Sequence, residues 1–130
     1  MKIRIGTDIV AVDRIEKSIA KESFLRKVFH PTEIDYCQSK ARPAASFAAR
    51  FAAKEAFFKA LGTGLYVQGM GPQDVWIENT DNGRPSLKLS PAAEKLISSS
   101  GTTSQHDVSL AHDGNFATAT VVILAVPSES

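Results

Sequence analysis

The chain has 130 residues, a formal net charge of +1 and a 43% hydrophobic composition. That is enough apolar material for a single domain over 1–130 without staples, and too little charge for bulk nucleic-acid binding, so an acidic partner must meet a local basic patch. The single cysteine, Cys37, excludes an internal disulfide and fits a reducing compartment, and neither a signal core nor a run near roughly 18 apolar residues is present, so a soluble, cytoplasmic protein without membrane association is expected.

In chain order, Ile3, Ile5, Thr7 and Ile9 alternate with Arg4, Gly6 and Asp8 at the period of a half-buried strand, which puts Asp8 opposite the isoleucine face. Gly6 and Asp8 are poor strand formers and need a local reason; Asp8 reads as an edge charge against aggregation or as a ligand group. Asp13, with Glu16 three residues on, reads as the N-cap of a helix through Ile15 and Ile19. Arg14, Lys17 and Lys21 share one face of it, and Arg26 and Lys27 follow on its next turn or on a new helix capped by Ser23. This basic strip is either solvated or a dock for an acidic helix. His30-Pro31-Thr32-Glu33 opens a third helix, with Pro31 at N1 and His30 a cap or surface residue, ending before Pro43.

Residues 44–61, between Pro43 and the stop Gly62-Thr63-Gly64, form the best helix in the sequence, roughly 27 Å long at 1.5 Å per residue. Ala49, Ala52, Ala53, Ala56 and Ala60 take one side, while Phe47, Phe51, Phe57, Phe58 and Leu61 spread over most of the rest, so the helix is expected to be buried nearly all round. Its charges must then be paired, reach an edge or hold a ligand. Arg50 and Lys54 stand one turn apart on one edge, Glu55 and Lys59 on another. They read as two satisfied patches, or as a carboxylate for a cation beside basic groups for the phosphates it carries.

Residues 65–72 read as a loop, and Val75-Trp76-Ile77-Glu78 and Ser86-Leu87-Lys88-Leu89 as strands around the turn Asp81-Asn82-Gly83-Arg84. Ser90-Pro91 caps a short helix through Leu96 and Ile97, closed by Gly101 before a polar link; residues 108–112 and 116–126 form a hairpin across Asp113-Gly114-Asn115, and residues 127–130 are expected to fray. His112, where a strand enters its turn, is a turn histidine or a ligand group; Tyr36, Tyr66 and Trp76 read as core or rim aromatics. This order predicts an α+β domain, a largely antiparallel sheet wrapped around one long central helix.

Taken together, Gly6-Thr7-Asp8-Ile9-Val10, the run Arg50-Phe51-Ala52-Ala53-Lys54-Glu55-Ala56-Phe57-Phe58-Lys59-Ala60-Leu61-Gly62-Thr63-Gly64, Asn82-Gly83-Arg84-Pro85 and Val108-Ser109-Leu110-Ala111-His112 closely resemble the small, single-domain 4'-phosphopantetheinyl transferases of the holo-acyl-carrier-protein synthase family. The resemblance covers residues 5–126 in order and spacing. His30 stands where the family usually has a threonine cap, and Ala111 where a hydroxyl residue is common.

The resemblance implies transfer of the 4'-phosphopantetheine arm of coenzyme A to a serine of apo-acyl carrier protein, with release of adenosine 3',5'-bisphosphate, which activates the carrier for fatty acid biosynthesis. It implies Mg²⁺ held by Asp8 and Glu55, a hard cation that one or two carboxylates plus substrate phosphate suit. Glu55, directly or through a metal-bound water, is the first choice as base, and Lys59 would need its pKa lowered to serve. Lys59 also suits the phosphate; Arg50, Lys54 and His112 resemble nucleotide-phosphate contacts, with Gly62 beside them, and Gly83, Arg84 and Pro85 the adenine-side wall. Arg14, Lys17, Lys21 and Arg26 resemble the family's dock for the carrier's acidic helix, and the family's homotrimers place the substrate between subunits.

Two rival classes compete. A non-enzymatic oligomeric binding module accounts for the buried helix and basic face but leaves Asp8, Glu55 and Lys59 without a task. A Mg²⁺ nucleotide pyrophosphohydrolase would normally carry a denser carboxylate cluster, whereas Glu55 is the only acid in residues 44–61.

Overall fold

Along the chain run β1 (Lys2–Ala11), α1 (Val12–Ile19), α2 (Glu22–Val28), α3 (Pro31–Gln38), α4 (Pro43–Ala60), a 3-10 turn (Pro72–Asp74), β2 (Val75–Asn79), β3 (Pro85–Leu89), α5 (Pro91–Ile97), β4 (Thr102–Asp113) and β5 (Phe116–Pro127). The computed structural model describes residues 1–62, 69–98 and 102–127; the first half of the expected loop with Tyr66, Gly101 and the last three residues lie outside them.

Helix α4 is the hub. Pro43 opens it at N1, and the Leu61 N–H closes it on the Phe57 and Lys59 carbonyls. Its alanines from Ala45 on are buried, and Phe47, Phe57 and Phe58 are at most 2% exposed, so a helix with so little polar surface is explained by cover on most sides, Lys59 being its exposed charge. Small alanines let it lie close to the sheet. At Gly6 the approach leaves no room for a side chain: a Cβ would meet the Ala56 carbonyl oxygen at 2.0 Å and the Ala60 nitrogen at 2.7 Å. That is the local reason for a glycine in β1.

The described strands form two antiparallel sheets, β1-β5-β4 and β2-β3. In the larger one Asp8 pairs with Ala119 and Ala119 with Leu110; Val10 pairs with Ala117 and Ala117 with His112. Directly paired residues share a face. Asp8 and His112 thus lie on the α4 side of the sheet, but on its opposite edge strands.

Several expectations are corrected. The β1 alternation holds, yet α4 covers the face of Gly6, Asp8 and Val10, and Ile3, Ile5 and Ile9 point outward at 66, 66 and 63% exposure. Asp13 is not the N-cap of α1: that position is Ala11, without a side-chain cap, and Asn115 in the β4–β5 turn receives the Val12 and Asp13 amides on its carbonyl and Oδ1. Ser23 lies inside α2, which Lys21 precedes. The polar link before residue 108 is strand, because β5 offers it partners as far as Thr102↔Pro127. By contrast, His30 caps α3 as expected, its Nδ1 accepting the Thr32 amide while Glu33 accepts the His30 amide. Its ring also stacks on Trp76 at 4.4 Å.

Candidate active site

Where β1 crosses under α4, three of the expected site residues meet. The Lys59 ammonium donates to Asp8 Oδ1 at 2.9 Å and to the Thr7 carbonyl at 3.2 Å. Asp8 is largely covered, its side chain 15% exposed against 54% for Lys59. Glu55, one turn before Lys59, has no hydrogen-bond or ion-pair partner among the described residues.

The electrostatics tie the cluster together. Burial, then the Asp8 charge, pushes the Glu55 carboxyl above its ordinary value, against the opposing pull of Lys59 and Arg14. The hydrogen bond to Asp8 and its charge raise Lys59, the direction opposite to the one a base would need. Two carboxylates thus stand on neighbouring elements, Asp8 paired with Lys59 and Glu55 without a partner among the described residues. Among the described residues no third histidine, cysteine or carboxylate joins them.

Arg50 and Lys54, expected as nucleotide contacts, are both buried in this chain. Lys54 is 1% exposed, and its three donors go to Glu33 Oε1 at 2.7 Å, the Pro72 carbonyl at 2.9 Å and the Val75 carbonyl at 2.6 Å. Burial lowers its pKa, opposed by Glu33. Arg50 is 4% exposed, lies 4.5 Å from the Tyr36 ring centroid and donates to the Ser46 carbonyl and to Asn79. These ammonium and guanidinium groups tie α4 to its neighbours. Burial also pushes the Cys37 thiol up to about 12, so it is inert.

Gly62 is exposed just past α4, with a φ of +78°. His112 is exposed on β4. Arg84 and Pro85 line a cavity of about 350 Å³ along the β4 edge with Asp107, Ser109, Thr120 and Val122; Gly83 precedes them at a φ of +85°. Asp8 is on β1, two strands across the sheet from β4. Arg14, Lys17, Lys21 and Arg26 are all exposed; Lys17 and Lys21 border a cavity of about 270 Å³ with Phe24, and Arg26 pairs with Glu22.

Sequence reasoning missed three roles. Glu33, read as a capping residue, is also the buried counterion of Lys54. Asn79 carries the contact of Arg50. Arg14, assigned only to docking, acts on Glu55 as well. Residue spacing within one element carries no signal for any of these, since each joins separate elements.

A family model described as the 4'-phosphopantetheinyl transferase superfamily matches residues 4–121. The holo-[acyl-carrier-protein] synthase of Syntrophus aciditrophicus is 45% identical over 120 residues, covering 91% of this chain and 92% of the relative. That of Trichlorobacter lovleyi is 42% identical over 127 residues, 96% and 99%. Among solved structures, the Neisseria meningitidis holo-[acyl-carrier-protein] synthase superposes with a TM-score of 0.81 at 30% identity, over 93% of this chain and 97% of that one. The Helicobacter pylori enzyme, solved in complex with coenzyme A, gives 0.78 at 33%, over 92% and 99%. With the Gly6–α4 crossing and the Asp8–Glu55–Lys59 cluster in place, the chain belongs to the 4'-phosphopantetheinyl transferase superfamily, within its holo-[acyl-carrier-protein] synthase family.

Proposed function

We propose a residue-level mechanism for the reaction of this family, in which the enzyme moves the 4'-phosphopantetheine arm of coenzyme A to a serine of apo-acyl carrier protein and releases adenosine 3',5'-bisphosphate. The serine Oγ bonds to the arm-bearing phosphorus as the bond from that phosphorus to the oxygen leaving with the nucleotide breaks. The serine proton passes to a base.

Asp8 and Glu55 hold Mg²⁺. The chemistry fits: two hard oxygen donors, Glu55 without a partner among the described residues, whose mutual repulsion a cation would relieve. When bound, the ion neutralises charge on the pyrophosphate oxygens. Lys59, protonated and half exposed, supplies a second positive charge for the same oxygens. Glu55 accepts the serine proton on its carboxylate. Most of the remaining catalysis is positioning.

Coenzyme A lies between chains of a homotrimer. One chain keeps the cavity of Arg84 and Pro85 and the imidazole of His112 on the edge opposite Asp8. Ile3, Ile5, Ile9, Phe116 and Val122 are exposed large apolar residues, the kind of patch that marks an interface. The basic strip of Arg14, Lys17, Lys21 and Arg26 receives the acidic helix of the carrier.

The convergence of Asp8, Glu55 and Lys59 at the β1–α4 crossing carries this reading. The test is to incubate the protein with coenzyme A, Mg²⁺ and apo-carrier and weigh the carrier: addition of the arm by the native chain, and its absence with Asp8→Asn or Glu55→Gln, is expected. A native chain that leaves the carrier's mass unchanged refutes it.

A further inference from the structure

Asn79, the last residue of β2, is half-buried between two charged or polar groups from different parts of the chain. Its Oδ1 accepts from Arg50 Nη2 at 2.8 Å, and its Nδ2 donates to the Gly83 carbonyl at 3.1 Å. The orientation of the amide is dictated by its neighbours: a guanidinium only donates and a carbonyl only accepts, so the oxygen must face Arg50 and the nitrogen Gly83. Few side chains can meet both demands in one planar group.

Arg50 is a firm anchor. It is nine-tenths buried or more, lies 4.5 Å from the Tyr36 ring centroid and holds the Ser46 carbonyl at 3.1 Å. Serving two acceptors leaves its Nε without a partner, a cost tolerated for the direction in which Nη2 points. At the other end, the turn after β2 closes on itself through Thr80 N–H to the Arg84 carbonyl and Gly83 N–H to the Thr80 carbonyl, both 2.8 Å. The turn is held from β4 by the Arg84–Asp107 pair at 3.0 Å, whose side chains are 65% and 63% exposed. Such an exposed pair contributes little, and it is given up if Arg84 turns to an anion.

We infer that Asn79 is a positioning residue for the nucleotide half of coenzyme A: through Arg50 it holds Gly83, and with it Arg84 and Pro85, in a set place against α4. The inference rests on reading residues 83–85 as the nucleotide-side wall.

Asn79→Asp separates this role from a structural one. A carboxylate still accepts from Arg50, so the helix stays anchored, but it cannot donate to Gly83. With the melting temperature unchanged, KM for coenzyme A and Kd for adenosine 3',5'-bisphosphate should each rise about three- to tenfold, the scale of one lost hydrogen bond. kcat should stay within about twofold, and amide exchange at Gly83 and Arg84 should quicken. Unchanged KM and Kd, or a fall in kcat alone, overturns the inference. Arg84→Ala is measured alongside: if it leaves nucleotide affinity intact, the wall reading fails and takes the inference with it. If Arg84→Ala weakens binding while Asn79→Asp does not, the wall stands and the inference alone falls. Should Asn79→Asp not fold, Asn79→Ala is judged by the same constants, and failure of both to fold makes Asn79 structural and overturns the inference.

Discussion

Gly6 and Ala56 bring strand and helix backbones into close approach: a Cβ on Gly6 would stand 2.0 Å from the Ala56 carbonyl oxygen. Two residues along the strand is Asp8, and one residue before Ala56 is Glu55, so the spacing of the site's carboxylates is set by this contact. Gly6→Ala should therefore force the backbones apart, costing on the order of 1–3 kcal/mol in urea unfolding. Activity should fall further than stability, by about a hundredfold, since a shift of about 1 Å at a reacting group has that effect. Native kcat/KM in Gly6→Ala would count against a strand-to-helix distance that matters.

Glu55 predicts a pH dependence. Its folded pKa lies above its unfolded one, so its contribution to stability is fully present below the ordinary glutamate value and is lost as pH rises through the raised folded value. Without added Mg²⁺, unfolding free energy measured against pH should carry this loss, and Glu55→Gln should remove it. Activity has the opposite sign, requiring the ionised carboxylate, so it should fall as pH drops through the Glu55 value with Mg²⁺ bound. Glu55→Gln should keep the fold and lose at least about a hundredfold in kcat.

Lys54 and Glu33 form a pair sealed from water. Lys54→Met should leave Glu33 charged and unpaired in the core, at a cost of about 3–5 kcal/mol in chemical denaturation. Glu33→Leu combined with Lys54→Met should recover only part of that, because Glu33 also accepts the His30 and Ile77 amides at 3.0 Å each. A fully stable double variant would mean these amides find other partners.

Arg14 is exposed on α1 and acts on Glu55 from a distance. Arg14→Glu should raise KM for the carrier about tenfold or more and leave coenzyme A affinity intact. It should also move the acid limb of the activity profile upward, since a charge that lowers the Glu55 pKa is replaced by one that raises it. Equal losses for both substrates would remove the docking role.

Ile5, 66% exposed, lies in the outward isoleucine row. Ile5→Glu should leave the chain folded but reduce its mass by light scattering from that of three chains to that of one, and transfer should be lost with the shared site. A trimer that survives this charge would place its contacts elsewhere.

Much of this was legible in the amino-acid order. The long helix was bounded by Pro43 and Gly62, and the Asn82-Gly83 turn gave the smaller hairpin. Asp8, Glu55 and Lys59 stood out because each charge sat in an apolar or strand context, and the resemblance to the family gave them their roles. The alternation in β1 placed Asp8 opposite the isoleucines, but not which of the two faces the helix would cover. Asp13 had the chemistry of a cap, yet Asn115, about a hundred residues away along the chain, took the role.

The sequence by itself thus determined the periods, the punctuation and the inventory of charges, since these depend on local sterics and on neighbours three or four residues apart. Only the tertiary structure decided that Arg50 and Lys54 are buried ties and that Lys59 meets Asp8. An ammonium or guanidinium on a helix is free or sealed according to what packs over it, and Glu33, Asn79 and the Pro72 and Val75 carbonyls are brought there by other elements of the fold.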